Sequence, residues 1–403
     1  MPATTPATMT SPGKPASWSW EATNEAVAER YGLPVEQVVR FDQNTSPAPP
    51  ELVQRLLAEG RFEVAISEYP PSDYRRLIDA AAARYGVTFE EILVGAGADE
   101  CLDLSAKAFL PHGGTAIVPV PTYPMYGILT DQRRAETVRV PRRPASEDFA
   151  LDVAAMRAAV ASAGGGRADT SRPAADLVWL CNPNNPTATR EPDGRVAELL
   201  AALRADAEAS RRPLPTVLLD EAYVEFGSES LLSLRDAYPR LVVLRTLSKA
   251  YGIAGLRVGF AIAQPEVIEE IAVYRPPGSV SVVSVDVGAA LLADPRICGD
   301  RVETITAERG RLISALRDAG WNARDSVTNF VLVEFGSPEA ADVAAEGLLQ
   351  RGLIPRTFPA GHPLDHCIRL TVRDREQDDR LVAAAGELAA TGDRSTGAAT
   401  TGD

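Results

Sequence analysis

Short apolar runs alternate with longer segments of helical spacing through the middle of the chain. The apolar runs predict buried strands at Glu91–Val94, Thr115–Val118, Leu177–Leu180, Thr216–Leu219, Leu241–Leu244 and Arg257–Ala263. Nearly continuous apolar strands separated by helices are typical of a mainly parallel sheet covered on both faces. The pattern therefore predicts an α/β fold with a mainly parallel central sheet and helices on both of its faces.

The first part of the chain is predicted to form helices separated by turns. Helices are expected at Glu21–Arg30, Glu51–Ala58 and Asp99–Phe109, together with one that Asp73 caps and that continues to Ala83. A short strand is expected at Val38–Phe41. The Gly/Arg/Pro-rich stretch Ala163–Ala175 is expected to be an exposed loop.

The pattern changes after Pro276-Pro277-Gly278 and predicts a smaller α+β domain. Its expected elements are helices at Val285–Ala293, Cys298–Ala319, Ser337–Arg351 and Arg375–Ala390, and strands at Phe330–Phe335 and Cys367–Val372. The predicted organisation is a disordered N-terminal extension (1–17), an N-terminal segment joining the small domain (18–60), a large domain (61–280), a small C-terminal domain (281–390) and a disordered tail (391–403).

Polar side chains follow the ends of the predicted strands. They are Asp99, Tyr123, Asn185, Asp220, Tyr223, Ser248 and Lys249. In parallel sheets ligands bind beyond the carboxyl ends of the strands. We therefore expect these residues to share one binding site.

Lys249 suggests what this site binds. A lysine at the mouth of a strand can be partly desolvated, which lowers its pKa and makes it a plausible amine for a Schiff base with a carbonyl. Ser248 precedes it and Arg257 follows eight positions later, and a hydroxyl with a guanidinium suits a phosphate. An aldehyde that carries a phosphate describes pyridoxal phosphate. Taken alone, a lysine in a loop is more often a solvated charge, so the other residues must support this interpretation.

The other strand-end residues match the remaining needs of this cofactor. Asp220 can stabilise the protonated ring nitrogen, Asn185 and Tyr223 can donate to the phenolate oxygen, and Tyr123 can stack on the ring. The phosphate donors are expected to be Ser248, Thr246, Arg257 and the backbone of Ala98 and Asp99 at a helix N-terminus. The alternatives are a helix N-cap for Asp220, a turn asparagine for Asn185 and a core tyrosine for Tyr223.

Two arginines are candidates for holding an anionic substrate. Arg369 lies inside the apolar strand Ile368–Val372, where packing alone does not explain it, and it could grip a carboxylate or phosphate with two hydrogen bonds. Arg356 is the second candidate, with a solvated arginine as its alternative. After amine exchange, Lys249 could shuttle the proton between the substrate Cα and the cofactor.

Composition excludes several other classes of protein. A formal charge of −14 argues against nucleic-acid binding, and no apolar run approaches the ~20 residues of a membrane span. The N-terminus lacks the apolar region of a secretory signal. Four scattered cysteines fit a reducing cytoplasm, and three dispersed histidines predict no metal site.

Together these residues resemble a known family. The motifs are Gly97-Ala98-Asp99-Glu100, Pro121-Thr122-Tyr123, Asn182-Pro183-Asn184-Asn185-Pro186-Thr187, Asp220-Glu221-Ala222-Tyr223, Arg245-Thr246-Leu247-Ser248-Lys249, Gly352-Leu353-Ile354-Pro355-Arg356 and Ile368-Arg369-Leu370-Thr371-Val372. They resemble the class I/II (fold type I) pyridoxal-phosphate-dependent aminotransferases, and most closely the histidinol-phosphate aminotransferase group. The resemblance extends from about Asn44 to Leu388.

The resemblance implies a cytoplasmic homodimer with shared active sites. Tyr69 would reach the cofactor phosphate of the neighbouring subunit, and Arg356 and Arg369 would hold the acidic group of the substrate. The expected reaction is ping-pong transfer of an amino group from an amino acid or amino-alcohol phosphate to a 2-oxo acid such as 2-oxoglutarate. Asn44 and Asn185 complete the expected substrate contacts.

The departures from the family lie at the substrate end and leave the substrate open. The group's Asn-Glu-Asn-Pro segment is Asn44-Thr45-Ser46-Pro47, an early pocket tyrosine has Trp18 and Trp20 in its neighbourhood, and Tyr274-Arg275 adds an arginine. The same motifs also serve a decarboxylase of an amino-acid phosphate. A non-catalytic regulator would need a DNA-binding module, for which about 40 residues before Asn44 leave no room.

Overall fold

The computed structural model describes residues 22–165 and 170–397. Its helices are α1 (Asn24–Tyr31), α2 (Glu51–Glu59), α3 (Arg75–Tyr85), α4 (Ala98–Phe109), α5 (Met125–Gln132), α6 (Val153–Gly165), α7 (Arg195–Ser210), α8 (Pro265–Ala272), α9 (Val282–Ala293), α10 (Pro295–Asp318), α11 (Pro338–Leu349) and α12 (Arg375–Gly397). Its strands are β1 (Val39–Arg40), β2 (Ile92–Ala96), β3 (Thr115–Val120), β4 (Glu136–Pro141), β5 (Leu177–Cys181), β6 (Thr216–Asp220), β7 (Leu241–Thr246), β8 (Val258–Ile262), β9 (Asn322–Ala323), β10 (Phe330–Glu334), β11 (Leu353–Ile354) and β12 (Cys367–Thr371).

A seven-stranded sheet forms the centre of the fold, in the order β2-β8-β7-β6-β5-β3-β4. Strands β3 to β7 pair in parallel, and β8 runs antiparallel to both of its neighbours. The prediction of a mainly parallel sheet is confirmed. Because β8 is reversed, its first residues lie at the same edge as the carboxyl ends of the parallel strands.

Both faces of this sheet are buried. Along β7, Leu241 and Val243 belong to one apolar cluster, while Val242 and Leu244 belong to another. The first cluster includes residues of α3, α6, α7 and α9, and the second includes residues of α4, α5 and α8. A strand that buries both faces needs a continuous apolar run, which is why the runs in the sequence identify these strands.

The C-terminal part forms a three-stranded antiparallel sheet in the order β12-β10-β9, with α10, α11 and α12 packed together beside it. Strand β1 pairs in parallel with β11, with Val39 opposite Leu353. The N-terminal segment is therefore hydrogen-bonded to the C-terminal part of the chain. The division into two domains stays a prediction.

Several local predictions differ from the structure. Asp73 is not the N-cap of α3, because Tyr74 occupies that position in a left-handed conformation; the Asp73 carboxylate instead accepts a hydrogen bond from the backbone N–H of Arg75. Helix α6 extends to Gly165, into the predicted loop, and α12 extends to Gly397, beyond its predicted end. The segment 1–21, with Trp18 and Trp20, and residues 398–403 lie outside the described residues.

None of the described helices is long and apolar enough to cross a membrane.

The close packing of β8 on the start of α4 gives a test of the fold. A Cβ atom at Gly259 would lie 2.3 Å from the carbonyl carbon of Gly97, whereas Gly310 in α10 has open space around it. We expect Gly259→Ala to lower the free energy of unfolding by about 1–3 kcal/mol. Gly310→Ala should raise it by about 0.5–1 kcal/mol, because alanine is the better helix former. Urea unfolding of both variants measures this, and equal effects would contradict the packing.

Candidate active site

A cavity lies at the carboxyl edge of the large sheet. It is lined by twelve of the residues predicted for the site, namely Asn44, Ala98, Asp99, Tyr123, Asn185, Asp220, Tyr223, Thr246, Ser248, Lys249, Arg257 and Arg369. Asp42, Gln43, Cys181, Ala222 and Ala254 complete the lining. Strand ends of the large sheet bring most of these residues together, as the parallel topology predicts, while Asn44 comes from the N-terminal segment and Arg369 from β12.

Lys249 follows β7 and points into this cavity. Its Nζ atom donates to the carbonyl oxygen of Gln43 at 3.3 Å and lies 5.6 Å from the centroid of the Tyr223 ring. Desolvation lowers the pKa of Lys249 to about 8, and the nearby Arg369 guanidinium acts in the same direction. Such an amine loses its proton more easily than an exposed lysine and can act as a nucleophile or a base.

Asp220 ends β6 and is buried. Burial raises the pKa of Asp220 to about 6, although two hydrogen bonds oppose the shift. The hydroxyl of Tyr126 donates to Oδ2 at 2.8 Å, and the backbone N–H of Ala222 donates to Oδ1 at 3.0 Å. Below this pKa the carboxyl group takes up a proton, so at pH 7 it is mainly ionised.

An anion-binding corner forms where β8 begins and α4 starts. The Arg257 guanidinium donates to Asp99 Oδ2 at 3.2 Å, and a Cβ atom at Gly97 would overlap this guanidinium. The hydroxyls of Thr246 and Ser248 lie 2.9 Å apart in the same cavity. Two hydroxyls, a guanidinium and the first amides of a helix form a donor set suited to phosphate.

The opposite end of the cavity is built from distant parts of the chain. Arg369 in β12 donates to Asn185 Oδ1 at 2.6 Å and to the carbonyl oxygen of Asp42 at 2.5 Å, while its buried Nε has no hydrogen-bond partner. The side-chain amide of Asn44 donates to the Tyr223 hydroxyl at 3.0 Å. A buried guanidinium with a free donor is suited to a carboxylate or phosphate ligand.

Tyr123 also lines the cavity. Its hydroxyl donates to Asp99 Oδ1 at 3.1 Å, and its ring meets that of Tyr126 edge to face at 5.7 Å. Burial raises the pKa of Tyr123 well above its ordinary value, with Asp99 adding to the effect. Tyr123 therefore stays protonated and presents a ring to the cavity.

Two predicted site residues do not line the cavity. Tyr69 is 90% exposed on the surface of the subunit. Arg356 pairs through its backbone with Arg369, with N–H···O distances of 3.0 and 2.9 Å, so it lies next to the cavity wall. Their predicted roles stay predictions.

Sequence analysis missed Asp42, Gln43 and Tyr126. Asp42 and Gln43 accept hydrogen bonds through their backbone carbonyl oxygens. Because every residue has such an oxygen, the residue type does not indicate this contact. Tyr126 lies three residues after Tyr123. Its place in the site is visible only in the structure, where its hydroxyl donates to Asp220.

A buried ion pair supports the turn that carries Asn185. Arg142 Nη1 donates to Glu191 Oε1 at 2.5 Å, and both side chains are almost fully buried. The backbone N–H of Glu191 donates to Asn182 Oδ1 at 2.8 Å, and Arg142 Nη2 donates to Asn184 Oδ1 at 3.3 Å. Asn184 also accepts from the hydroxyl of Thr122, which joins this turn to the loop of Tyr123.

The residues present fit pyridoxal phosphate. The corner at Gly97 and Arg257 supplies phosphate donors, Asp220 supplies a buried carboxylate for the ring nitrogen, and Lys249 supplies an amine for the aldehyde. Tyr123 and Tyr223 add a ring and a buried hydroxyl to the same cavity. Each chemical group of the cofactor thus has a matching group in the cavity.

Comparison with known proteins identifies the class. The sequence profile of the family described as aminotransferase class I and II matches residues 37–384. The chain belongs to this family.

Individual relatives show which members of the family the chain resembles. The chain is 36% identical over 373 residues to the histidinol-phosphate aminotransferase of Roseiflexus castenholzii, covering 91% of this chain and 93% of the relative. It is 32% identical over 382 residues to the histidinol-phosphate aminotransferase of Anaeromyxobacter sp., covering 94% and 95%. The crystal structure of histidinol-phosphate aminotransferase from Sinorhizobium meliloti in complex with pyridoxal-5'-phosphate has the same fold, with a TM-score of 0.79, 24% identity and coverage of 93% and 96%.

The buried pair under the Asn185 turn predicts a large stability effect. Glu191→Gln should lower the free energy of unfolding by about 3–5 kcal/mol, because the Arg142 charge is left buried without its partner. Asp193→Asn removes the partner of Arg190 in an exposed pair nearby and should cost less than about 1 kcal/mol. Urea unfolding at pH 7 compares them, and similar small losses would rule out the supporting role.

Proposed function

We propose that this protein is a pyridoxal-phosphate-dependent aminotransferase that moves an amino group between an amino donor of the histidinol-phosphate type and a 2-oxo acid. One observation carries the proposal: Lys249, with its lowered pKa, shares a cavity with Asp220 and Arg369. The cofactor, which Lys249 would hold, would supply an electron-accepting ring that makes the Cα–H of an attached substrate acidic.

Residues of this chain are assigned to three tasks: holding the ring nitrogen proton, binding the phosphate and transferring the substrate proton. Asp220 holds the proton on the ring nitrogen, while Arg257, Ser248, Thr246 and the first amides of α4 bind the phosphate. Lys249, once freed by amine exchange, would accept the proton from the substrate Cα and deliver it to the cofactor. A ping-pong reaction follows, because the same cavity must admit the donor and the acceptor in turn.

The substrate end favours an anionic donor. Arg369 is buried, its Nε has no hydrogen-bond partner, and Arg356 lies beside it. Both relatives compared are histidinol-phosphate aminotransferases, so histidinol phosphate is the first donor to test and 2-oxoglutarate the first acceptor. The decarboxylase alternative is not favoured, because these relatives transfer amino groups.

We also propose a cytoplasmic homodimer in which Tyr69 reaches the cofactor phosphate of the second subunit. The exposed position of Tyr69 supports this, because 90% of a large aromatic side chain is left uncovered in one subunit. Ile66, Val273 and Tyr274 are further large apolar side chains that are exposed in one subunit.

The central test uses Lys249→Ala. Wild-type protein with cofactor should show a visible absorbance band that decreases when glutamate or histidinol phosphate reacts in a half-reaction, with release of the 2-oxo acid or ketone product. Lys249→Ala should lack the band and lose at least about 1000-fold in turnover, because the nucleophile and the base are removed together. Unchanged turnover would refute the assignment, and carbon dioxide release without a carbonyl product would select a decarboxylase.

Shared sites predict complementation between inactive subunits. A mixed dimer of Tyr69→Ala and Lys249→Ala chains has one site with both residues intact. Equal mixing, with subunit exchange, should restore about one quarter of wild-type activity, because half of the dimers are mixed and each has one intact site. Activity that stays at the level of the separate variants would refute the proposed contact.

A further inference from the structure

Tyr126 contacts Asp220 from outside the cavity. Its hydroxyl donates to Oδ2 at 2.8 Å, while Oδ1 accepts from the Ala222 N–H. The carboxylate keeps lone pairs free toward the cavity that it lines. We propose that Tyr126 is a positioning residue that keeps Asp220 ionised and oriented, so that Asp220 holds the proton on the ring nitrogen of the cofactor. This inference rests on the proposed function.

The surroundings of Tyr126 fix its hydroxyl. The side chain is fully buried, and its ring stacks on Trp179 with the centroids 5.0 Å apart and the planes at 11°. Trp179 Nε1 donates to the Thr130 hydroxyl at 3.2 Å, and that hydroxyl donates to the Tyr126 carbonyl oxygen at 2.7 Å. A rigid stack of this kind holds the phenol in place, so little entropy is lost when it donates its hydrogen bond.

The Tyr126 hydrogen bond favours the charged form of Asp220. Desolvation raises the pKa of Asp220, and the Tyr126 hydroxyl is the largest opposing influence. Lys249 also favours the ionised carboxylate, whereas Asp99 disfavours it. Tyr126 itself stays protonated, because burial and the charge of Asp220 raise its pKa well above the ordinary value. Removal of the hydroxyl therefore makes Asp220 more basic and shifts the shared proton from the ring nitrogen toward the carboxylate.

The test is Tyr126→Phe in the holoenzyme. We expect kcat to fall at least about tenfold, because a hydrogen bond to a charged group is lost, with little change in the KM of the amino donor. A less protonated ring withdraws fewer electrons from its linkage to Lys249, so the pH midpoint of the visible band should move to higher pH. The dissociation constant of the cofactor should rise.

Tyr238→Phe is the matched control. The Tyr238 hydroxyl is also buried and donates at 2.8 Å, but its acceptor is the Pro215 carbonyl oxygen and Tyr238 does not line the cavity. Both variants should lose similar thermal stability, whereas only Tyr126→Phe should change kcat and the pH midpoint. Equal kcat and equal midpoints in the two variants would overturn the inference while leaving the aminotransferase intact.

A double variant separates positioning from packing. In an Asp220→Asn background, Tyr126→Phe should not shift the pH midpoint further, because the charge that Tyr126 supports is absent. A further shift as large as in the wild-type background would overturn the inference. A wild-type chain that takes up no cofactor and shows no visible band would instead reject the proposed function itself.

Discussion

Desolvation at the carboxyl edge of the large sheet shifts the pKa values of two side chains, Lys249 and Asp220. It lowers the pKa of Lys249 to about 8 and raises the pKa of Asp220 to about 6, so one environment acts on a cation and an anion in opposite directions. Each shift is limited by a partner: Asp99 and Asp220 favour the charged lysine, and Tyr126 favours the charged aspartate. The site thus keeps both charges near neutral pH while leaving Lys249 easier to deprotonate than an exposed lysine.

The reversed strand β8 explains how the residues of the anion-binding corner come together. Arg257 precedes β8 in a left-handed conformation with φ of 51°, and only an antiparallel strand brings that residue to the edge where β7 ends. Gly97 and Gly259 then let α4 approach closely, since side chains there would meet the Arg257 guanidinium and the Gly97 backbone. Backbone direction and two missing side chains together place the guanidinium beside the first turn of α4.

Strand-end chemistry was predictable because it depends on short local patterns. Lys249, Asp220 and Asn185 each follow a continuous apolar run, and parallel topology alone brings such ends together. The residues that support these site residues through hydrogen bonds were not predictable. Tyr126 belongs to a helix with no periodic signal, and Arg142 meets Glu191 across 49 positions, so only the packed structure pairs them. The prediction that Asp73 caps α3 was wrong, because Tyr74 adopts a left-handed conformation that the composition of the turn does not reveal.

The two ends of the cavity differ in how they are attached to the fold. Asp220 and Lys249 extend directly from central strands whose two faces are buried, so their positions follow from the sheet. Asn44 and Arg369 come from the N-terminal segment and β12, and they reach Tyr223 and Asn185 through hydrogen bonds that span 179 and 184 positions. The N-terminal segment also contacts Lys249, since Ser46 Oγ donates to the Lys249 carbonyl oxygen at 3.3 Å and Lys249 Nζ donates to the Gln43 carbonyl oxygen at 3.3 Å. Substitutions in this segment are therefore expected to act on both ends of the cavity.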